Sequence, residues 1–297
     1  MKTVDSRTRI ELKNILFATD FSPAAAAALP YAGTLAKKFG AQLFALHVRT
    51  PVINPMTPPA GWPALEKAAE IEGREQRETL RNAIPGIEPT ILIEEGDIWS
   101  HLQAVVQREN IDLLVMGTHG RSGIGKLVLG SAAEEIFREV ECPVLTVGPQ
   151  APAEPAPQGE FTRILYAASF GSESPVAAAY AVSLAQEFQA ELTLLHVLEE
   201  ARPGDFVVPE DLIDSSAQRL AKLLPPEAEL WCVPGYSVER GNVAEKILDV
   251  AQRRKADLIV LGAHPATGVP GAASHLPIAT AHKVIAHAHC PVLTVRD

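Results

Sequence analysis

At 297 residues, 47% apolar and 21% charged, the chain has the length and composition of two ordinary globular domains, each able to bury its own core. Its 36 acidic side chains outnumber 26 basic ones for a net charge of -10, the wrong sign for a phosphate backbone, so no nucleic-acid partner is expected. No apolar run reaches the ~20 residues of a membrane span, and MKTVDSRTRIELKN is too charged for a signal peptide, so a cytoplasmic protein without membrane contact is expected.

In chain order, short apolar runs alternate with helical stretches. Asn14-Ile-Leu-Phe-Ala-Thr-Asp20 reads as the first strand, over 14–20. PAAAAALPYAGTLAKKF, Pro23 to Phe39, is alanine-rich with apolar residues at helical spacing, and Pro30 is expected to kink it. Further strands are expected near 42–48, 89–94, 111–117 and 143–147. GPQAPAEPAPQGE, Gly148 to Glu160, has the composition of an extended linker. Beyond it the same segments return in the same order. Asn14-Ile-Leu-Phe-Ala recurs as Arg163-Ile-Leu-Tyr-Ala, and Ala41-Gln-Leu-Phe-Ala-Leu-His-Val as Ala190-Glu-Leu-Thr-Leu-Leu-His-Val. Ile111-Asp-Leu-Leu-Val-Met-Gly recurs as Ala256-Asp-Leu-Ile-Val-Leu-Gly, and Cys142-Pro-Val-Leu-Thr-Val as Cys290-Pro-Val-Leu-Thr-Val.

Strands apolar throughout, alternating with helices, imply a parallel sheet covered on both faces through right-handed crossovers. The expected fold is α/β: two tandem doubly wound five-stranded sheets of order 3-2-1-4-5, Rossmann-like. The expected division is 1–148, a linker over 149–161, and 162–297. Cys142, Cys232 and Cys290 sit in apolar or strand-like settings and fit buried thiols in a reducing compartment.

The stretch MGTHGRSGIGKLVLGSAAEEI, Met116 to Ile136, admits two readings. From Gly120 it is G-x4-G-K, the start of a P-loop. Against this, Leu127 stands where a hydroxyl should hold magnesium, and Ser-Ala-Ala-Glu from Ser131 resembles a capping box at a later helix start. From Gly117 it is G-x2-G-x9-G-S. Gly117 ends the fourth strand, where the lack of a β-carbon lets a sugar or phosphate approach the backbone, and Gly120 lets the loop turn. Gly130 and Ser131 place N–H groups and a hydroxyl at a helix start, where unsatisfied donors and the dipole attract phosphate. As plain loop and cap residues they would need no ligand. In a 3-2-1-4-5 sheet, however, strands 1 and 4 adjoin at the switch point, so Asp20 and Gly117 share a crevice suited to a mononucleotide. Asp20 also fits a helix N-cap ahead of Ser22-Pro23.

FATDFS, ALHV, GTHGRSGIGKLVLGS and CPVLTV together resemble the universal stress protein family in tandem form, across nearly the whole chain. The glycine pattern resembles that family's ATP-binding branch. The resemblance implies ATP, with or without magnesium, as ligand. Asp20 and Val48 would meet the adenine side, Gly117 and Gly120 the ribose and phosphates, and Gly130, Ser131 and Ala132 the phosphate tail. Ala18, Thr19 and Met116 would line the slot. Single-domain members of the family dimerise through the fifth-strand edge. The resemblance therefore implies an intramolecular pseudo-dimer pairing Val144–Val147 with Val292–Val295, with homo-oligomers beyond that open.

The second half departs from the pattern. Ser169 replaces Asp20, Pro265 replaces the second glycine, and Ile278-Ala279 stand where Gly130-Ser131 would fall. Proline removes a donor and isoleucine crowds a phosphate, so one competent site is expected, in the first half. His119 and Arg121 either steady a γ-phosphate or are solvated. No nucleophile, base and acid arrangement is visible, so the expectation is a nucleotide-responsive stress factor rather than a metabolic enzyme, with at most weak ATP hydrolysis. The alternatives are a slow ATPase or self-phosphorylating protein using Ser131 or Thr118, and a nucleotide-free interaction scaffold. His282, His287, His289 and Cys290 match no standard zinc spacing, so no metal is expected. His47 and His196 occupy equivalent strand ends, which favours a structural role.

Overall fold

The computed structural model describes residues 10–49, 62–118, 136, 139–152, 160–170, 174–199, 210–224, 234–262 and 278–296. In the first half, strands β1 (Asn14–Ala18), β2 (Gln42–Arg49), β3 (Thr90–Glu95), β4 (Leu113–Gly117) and β5 (Val144–Val147) alternate with helices α1 (Pro23–Phe39), α2 (Trp62–Asn82) and α3 (Ile98–Arg108). A helical stretch containing Ile136 and Glu139 precedes β5. The second half repeats the scheme with β6 (Arg163–Ala167), β7 (Glu191–Leu198), β8 (Gly235–Arg240), β9 (Leu258–Gly262) and β10 (Val292–Val295). Its described helices are α4 (Ser174–Phe188), α5 (Glu210–Ala221), α6 (Val243–Arg254) and α7 (Ile278–His287).

All ten strands belong to one sheet, of order β3-β2-β1-β4-β5-β10-β9-β6-β7-β8. Each half keeps the expected 3-2-1-4-5 order with parallel pairing. The halves join through an antiparallel pair, β5 with β10, in which Leu145 faces Leu293. Two sheets become one because a fifth strand left at an edge exposes a row of unpaired N–H and C=O groups, and each half supplies the other's missing neighbour.

Side chains alternate between two apolar layers, as a sheet buried on both faces requires. Ile15, Phe17, Leu43, Leu113 and Val115 pack with Tyr31 and Leu35 of α1, and the same layer continues through Ile164, Leu192 and Leu258 to α4 and Leu220 of α5. Leu16, Phe44, Leu46 and Leu114 pack on the opposite face with Leu102 and Val105 of α3, and Leu165 and Ile259 with Ile247 of α6 and Val284 of α7. Each such side chain contributes roughly 1.5–3 kcal/mol on burial.

Helix α1 runs through Pro30 as a single element. It starts at the N-cap Ser22, whose hydroxyl accepts from the Ala25 N–H at 3.2 Å, and stops at Gly40 in the left-handed conformation (φ 64°). The repeated Asp-Leu pairs have a common task. Asp112 accepts the N–H groups of Lys13 and Asn14 at 2.7 and 2.9 Å, tying the entry of β1 to that of β4. Asp257 does the same for Thr162 and Arg163 at 2.8 and 2.9 Å.

The halves also meet beside the strands. Tyr31 of α1 stacks on Phe161 with centroids 6.1 Å apart, Phe161 meets Phe188 of α4 edge-on at 5.1 Å, and Lys38 Nζ lies 5.1 Å over Phe188. The Ile10 N–H donates to Ser183 Oγ at 2.8 Å. A cavity of about 10 Å³ remains among Leu12, Leu35, Leu145, Phe161, Leu184 and Leu293. Its wall is apolar, so nothing there would hold a water.

Candidate functional site

The candidate site lies at the carboxyl ends of β1, β2 and β4, where the strand order reverses. Ala18 sits in register between Leu46 of β2 and Met116 of β4. Ala18, Val48 and Met116 all pack on the apolar layer of the α3 face, so three of the expected lining residues are brought together. Met116 is buried, whereas Ala18, Thr19, Asp20, Val48 and Gly117 are half-buried at the strand ends.

The chain leaving β1 is held in place residue by residue. The Thr19 N–H donates to the Leu46 carbonyl at 2.9 Å, and buried His47 donates from Nδ1 to the Thr19 carbonyl at 2.8 Å. Thr19 Oγ1 accepts from the Phe21 N–H at 3.0 Å, and Phe21 adopts a left-handed φ of 59° with its ring edge-on to His47 at 4.8 Å. Asp20 Oδ1 accepts from the Ser22 N–H at 3.0 Å. The cap of α1 is therefore Ser22, and Asp20 forms a turn two residues earlier, at the exit of β1.

Gly117 has a packing reason to be glycine. A Cβ there would point into the first turn of α1, 2.5 Å from the backbone C and O of Ala24 and 2.8 Å from the Ala25 nitrogen. The bare Cα thus lets β4 and α1 approach one another. The next residue, Thr118, is 1% exposed, and its N–H donates to the Val147 carbonyl at 3.1 Å. Gly120, Gly130, Ser131 and Ala132, with His119, Arg121 and Lys126, lie outside the described residues.

The corresponding place in the second half is built on the same frame and filled differently. The Ala168 N–H donates to the Leu195 carbonyl at 2.8 Å, and His196 Nδ1 to the Ala168 carbonyl at 3.0 Å. The two histidines thus do the same structural work, clamping the exit of the first strand to the second. Phe170 lies 3.9 Å from the His196 ring, and the Arg219 guanidinium of α5 lies 3.9 Å over Phe170 while donating to its carbonyl at 3.3 Å. Burial holds His196 below the ordinary histidine range, the bond to Ala168 opposes this, and the Arg219 charge adds to it. A Cβ at Gly262 would meet only Ala177 Cβ, at an ordinary 3.6 Å. Residues 263–277, Pro265 among them, lie outside the described residues.

Burial pushes the thiols of Cys142 and Cys290 up to about 12, so neither is a ready nucleophile or metal ligand. Cys232 lies outside the described residues. His287 donates from Nδ1 to the Lys283 carbonyl of its own helix at 2.9 Å. Among the described residues no three His, Cys, Asp or Glu side chains converge as a metal site, and no helix is long and apolar enough to cross a membrane.

A doubly wound α/β unit used twice, its ten strands joined in one sheet, defines the class: a tandem Rossmann-like fold. The model of the universal stress protein family matches residues 11–148 and again 160–296, and the chain belongs to that family. A universal stress protein of Thermus aquaticus is 34% identical over 137 residues, covering 46% of this chain and 98% of the relative. One from Methanocaldococcus jannaschii is 28% identical over 139 residues, covering 46% of this chain and 81% of the relative. The crystal structure of a universal stress protein from Archaeoglobus fulgidus covers 97% of this chain and 98% of its own, with a TM-score of 0.69 at 21% identity. That likeness establishes the fold of both halves together.

Proposed function

We propose that the chain is a nucleotide-responsive stress factor of the cytoplasm that binds one adenine nucleotide, ATP foremost, in the domain 1–148, while the domain 162–297 binds none. The observation that carries this reading is the meeting of a carboxylate, an apolar floor and a glycine-ended strand at one switch point. Asp20 stands at the exit of β1, Ala18, Val48 and Met116 form the floor, and Gly117 closes β4 beside them. An apolar floor suits a purine face, and a carboxylate on the rim suits a sugar hydroxyl or exocyclic amine. From Gly117 the sequence runs directly into Gly120, Gly130, Ser131 and Ala132, which would supply N–H groups and a hydroxyl to the phosphates. Magnesium, if present, would be held by the phosphates, since no acidic cluster is available among the described residues.

A branched side chain at Gly130 should obstruct the phosphate path and leave the sheet intact. Titration of Gly130→Val with ATP is expected to show a loss of affinity of at least about ten-fold, which corresponds to about 1.4 kcal/mol. The circular dichroism spectrum should be that of the wild type. Unchanged affinity would remove Gly130 from the cradle and with it this reading of the loop.

A further inference from the structure

The start of α3 is tied to the end of β2. The Gly96 N–H donates to the Arg49 carbonyl at 2.9 Å, one residue past Val48, and Asp97 caps the helix by accepting from the Ser100 N–H at 2.8 Å. Helix α3 then packs over β2, on the sheet face that carries Ala18, Val48 and Met116. Leu102 is buried against that face, and Trp99, one turn earlier, packs on the same layer while only half-buried. Positions 99 and 101 lie about 200° apart around a helix, so their side chains fall on opposite flanks of Leu102. His101 takes the flank toward β3, donating from Nε2 to the Glu95 carbonyl at 3.2 Å. The sheet runs β3-β2-β1, so the indole of Trp99 takes the flank toward β1 and Ala18. Long side chains on a helix also lean back toward its N-terminus, which for α3 is the carboxyl edge of the sheet. The ring therefore stands at the β2 side of the apolar floor formed by Ala18, Val48 and Met116.

The second half repeats this junction without the ring. The Gly241 N–H donates to the Leu198 carbonyl at 3.1 Å, and Asn242 caps α6 through the Glu245 N–H at 3.2 Å. Ala244 thus holds the place of Trp99, and it is 3% exposed. A methyl group suffices there to close the layer, whereas the first half carries a broad aromatic face past it. That face stands in the half that keeps Asp20 and is missing from the other. We propose that Trp99 determines the base specificity of the nucleotide site: its indole lies against the base and selects purines over pyrimidines by the breadth of ring it covers. This rests on the function proposed above and names the part of the nucleotide that one further residue reads.

The test uses the full chain, wild type against Trp99→Ala and Trp99→Phe, titrated with ATP and CTP by calorimetry and by intrinsic fluorescence. Trp62 and Trp231 remain in every variant and set the fluorescence background. ATP should change the fluorescence of the wild type, and that change should vanish in Trp99→Phe while ATP affinity is nearly retained, because a smaller ring still stacks. Trp99→Ala should raise the Kd for ATP about five- to hundred-fold, the range of one lost base–aromatic stack, and should narrow the preference for ATP over CTP. An unchanged Kd or an unchanged ATP-to-CTP ratio in a folded Trp99→Ala overturns the proposal. If Trp99→Ala loses its fold by circular dichroism, the Trp99→Phe comparison decides. A fluorescence change that persists in Trp99→Phe, a Trp99→Phe that no longer binds ATP, or a wild type that binds ATP with no fluorescence change overturns it. A wild type that binds neither nucleotide overturns the function on which the proposal rests, and the wild-type calorimetry alone tells the two failures apart.

Discussion

Gly117 and Gly262 occupy the same place in the repeat, yet the structure makes unequal demands on them. A methyl group at Gly117 would sit 2.5 Å from backbone atoms of Ala24, which no side-chain rotation relieves, so α1 or β4 must shift. Gly117→Ala is expected to destabilise the protein by about 1–3 kcal/mol, the usual cost of overpacking. At Gly262 the added methyl meets Ala177 at 3.6 Å and the backbone is not left-handed, so Gly262→Ala is expected to be neutral or up to about 1 kcal/mol stabilising through the unfolded chain. Denaturant melts of the two variants check this, and equal losses would contradict it. The sequence reading assigned Gly117 to ligand approach because an isolated glycine at a strand end says only that a β-carbon is unwelcome. Which neighbour refuses it, here α1, is a tertiary fact. Likewise, Asp20 and Ser22 are both good caps by residue type, and only the bonds to Ser22 N–H and from Ala25 N–H separate the turn from the cap.

At the level of elements the sequence was far more informative. Helix α1 spans Pro23–Phe39 as expected, because serine before proline and glycine after a lysine-rich last turn are local signals with local causes. The first strand was expected to reach Asp20 and stops at Ala18, because Thr19 gives its carbonyl to the His47 side chain. The fourth was expected from Ile111 and starts at Leu113, the preceding Asp112 turning its carboxylate to the Lys13 and Asn14 N–H groups. The pairing of β5 with β10 also has a direct consequence. Edge strands exchange amide protons readily, whereas these two are central in the ten-stranded sheet. Amides of Val144–Val147 and Val292–Val295 are expected to rank with β1 and β4 in hydrogen exchange, and slower than those of the outer strands β3 and β8. Fast exchange in β5 and β10 would mean that the halves do not share a sheet in solution.

For the whole molecule, one chain carries two copies of a fold, for which unequal ligand binding is proposed. The frame is retained twice: the Asp112 and Asp257 ties, the His47 and His196 clamps, and the 3-2-1-4-5 order. The halves diverge at the strand ends and in the loops that leave them, where Asp20 becomes Ser169 and the G-x2-G-x9-G-S pattern is lost. At the second switch point Phe170, His196 and Arg219 stack on one another instead. The fold was legible because it is written in periodic apolar strands and repeated caps, whereas of the glycine motif at the candidate site only Gly117 falls among the described residues. The assembly of that site depends on which strand ends adjoin, and that follows from the register of Ala18 with Met116. The most direct test is a calorimetric titration of the full chain with ATP, repeated with ADP, AMP and cyclic AMP. One nucleotide per chain is predicted, with binding abolished or sharply weakened by Gly130→Val. Two equivalent sites per chain, or no binding of any of the four, would contradict the account.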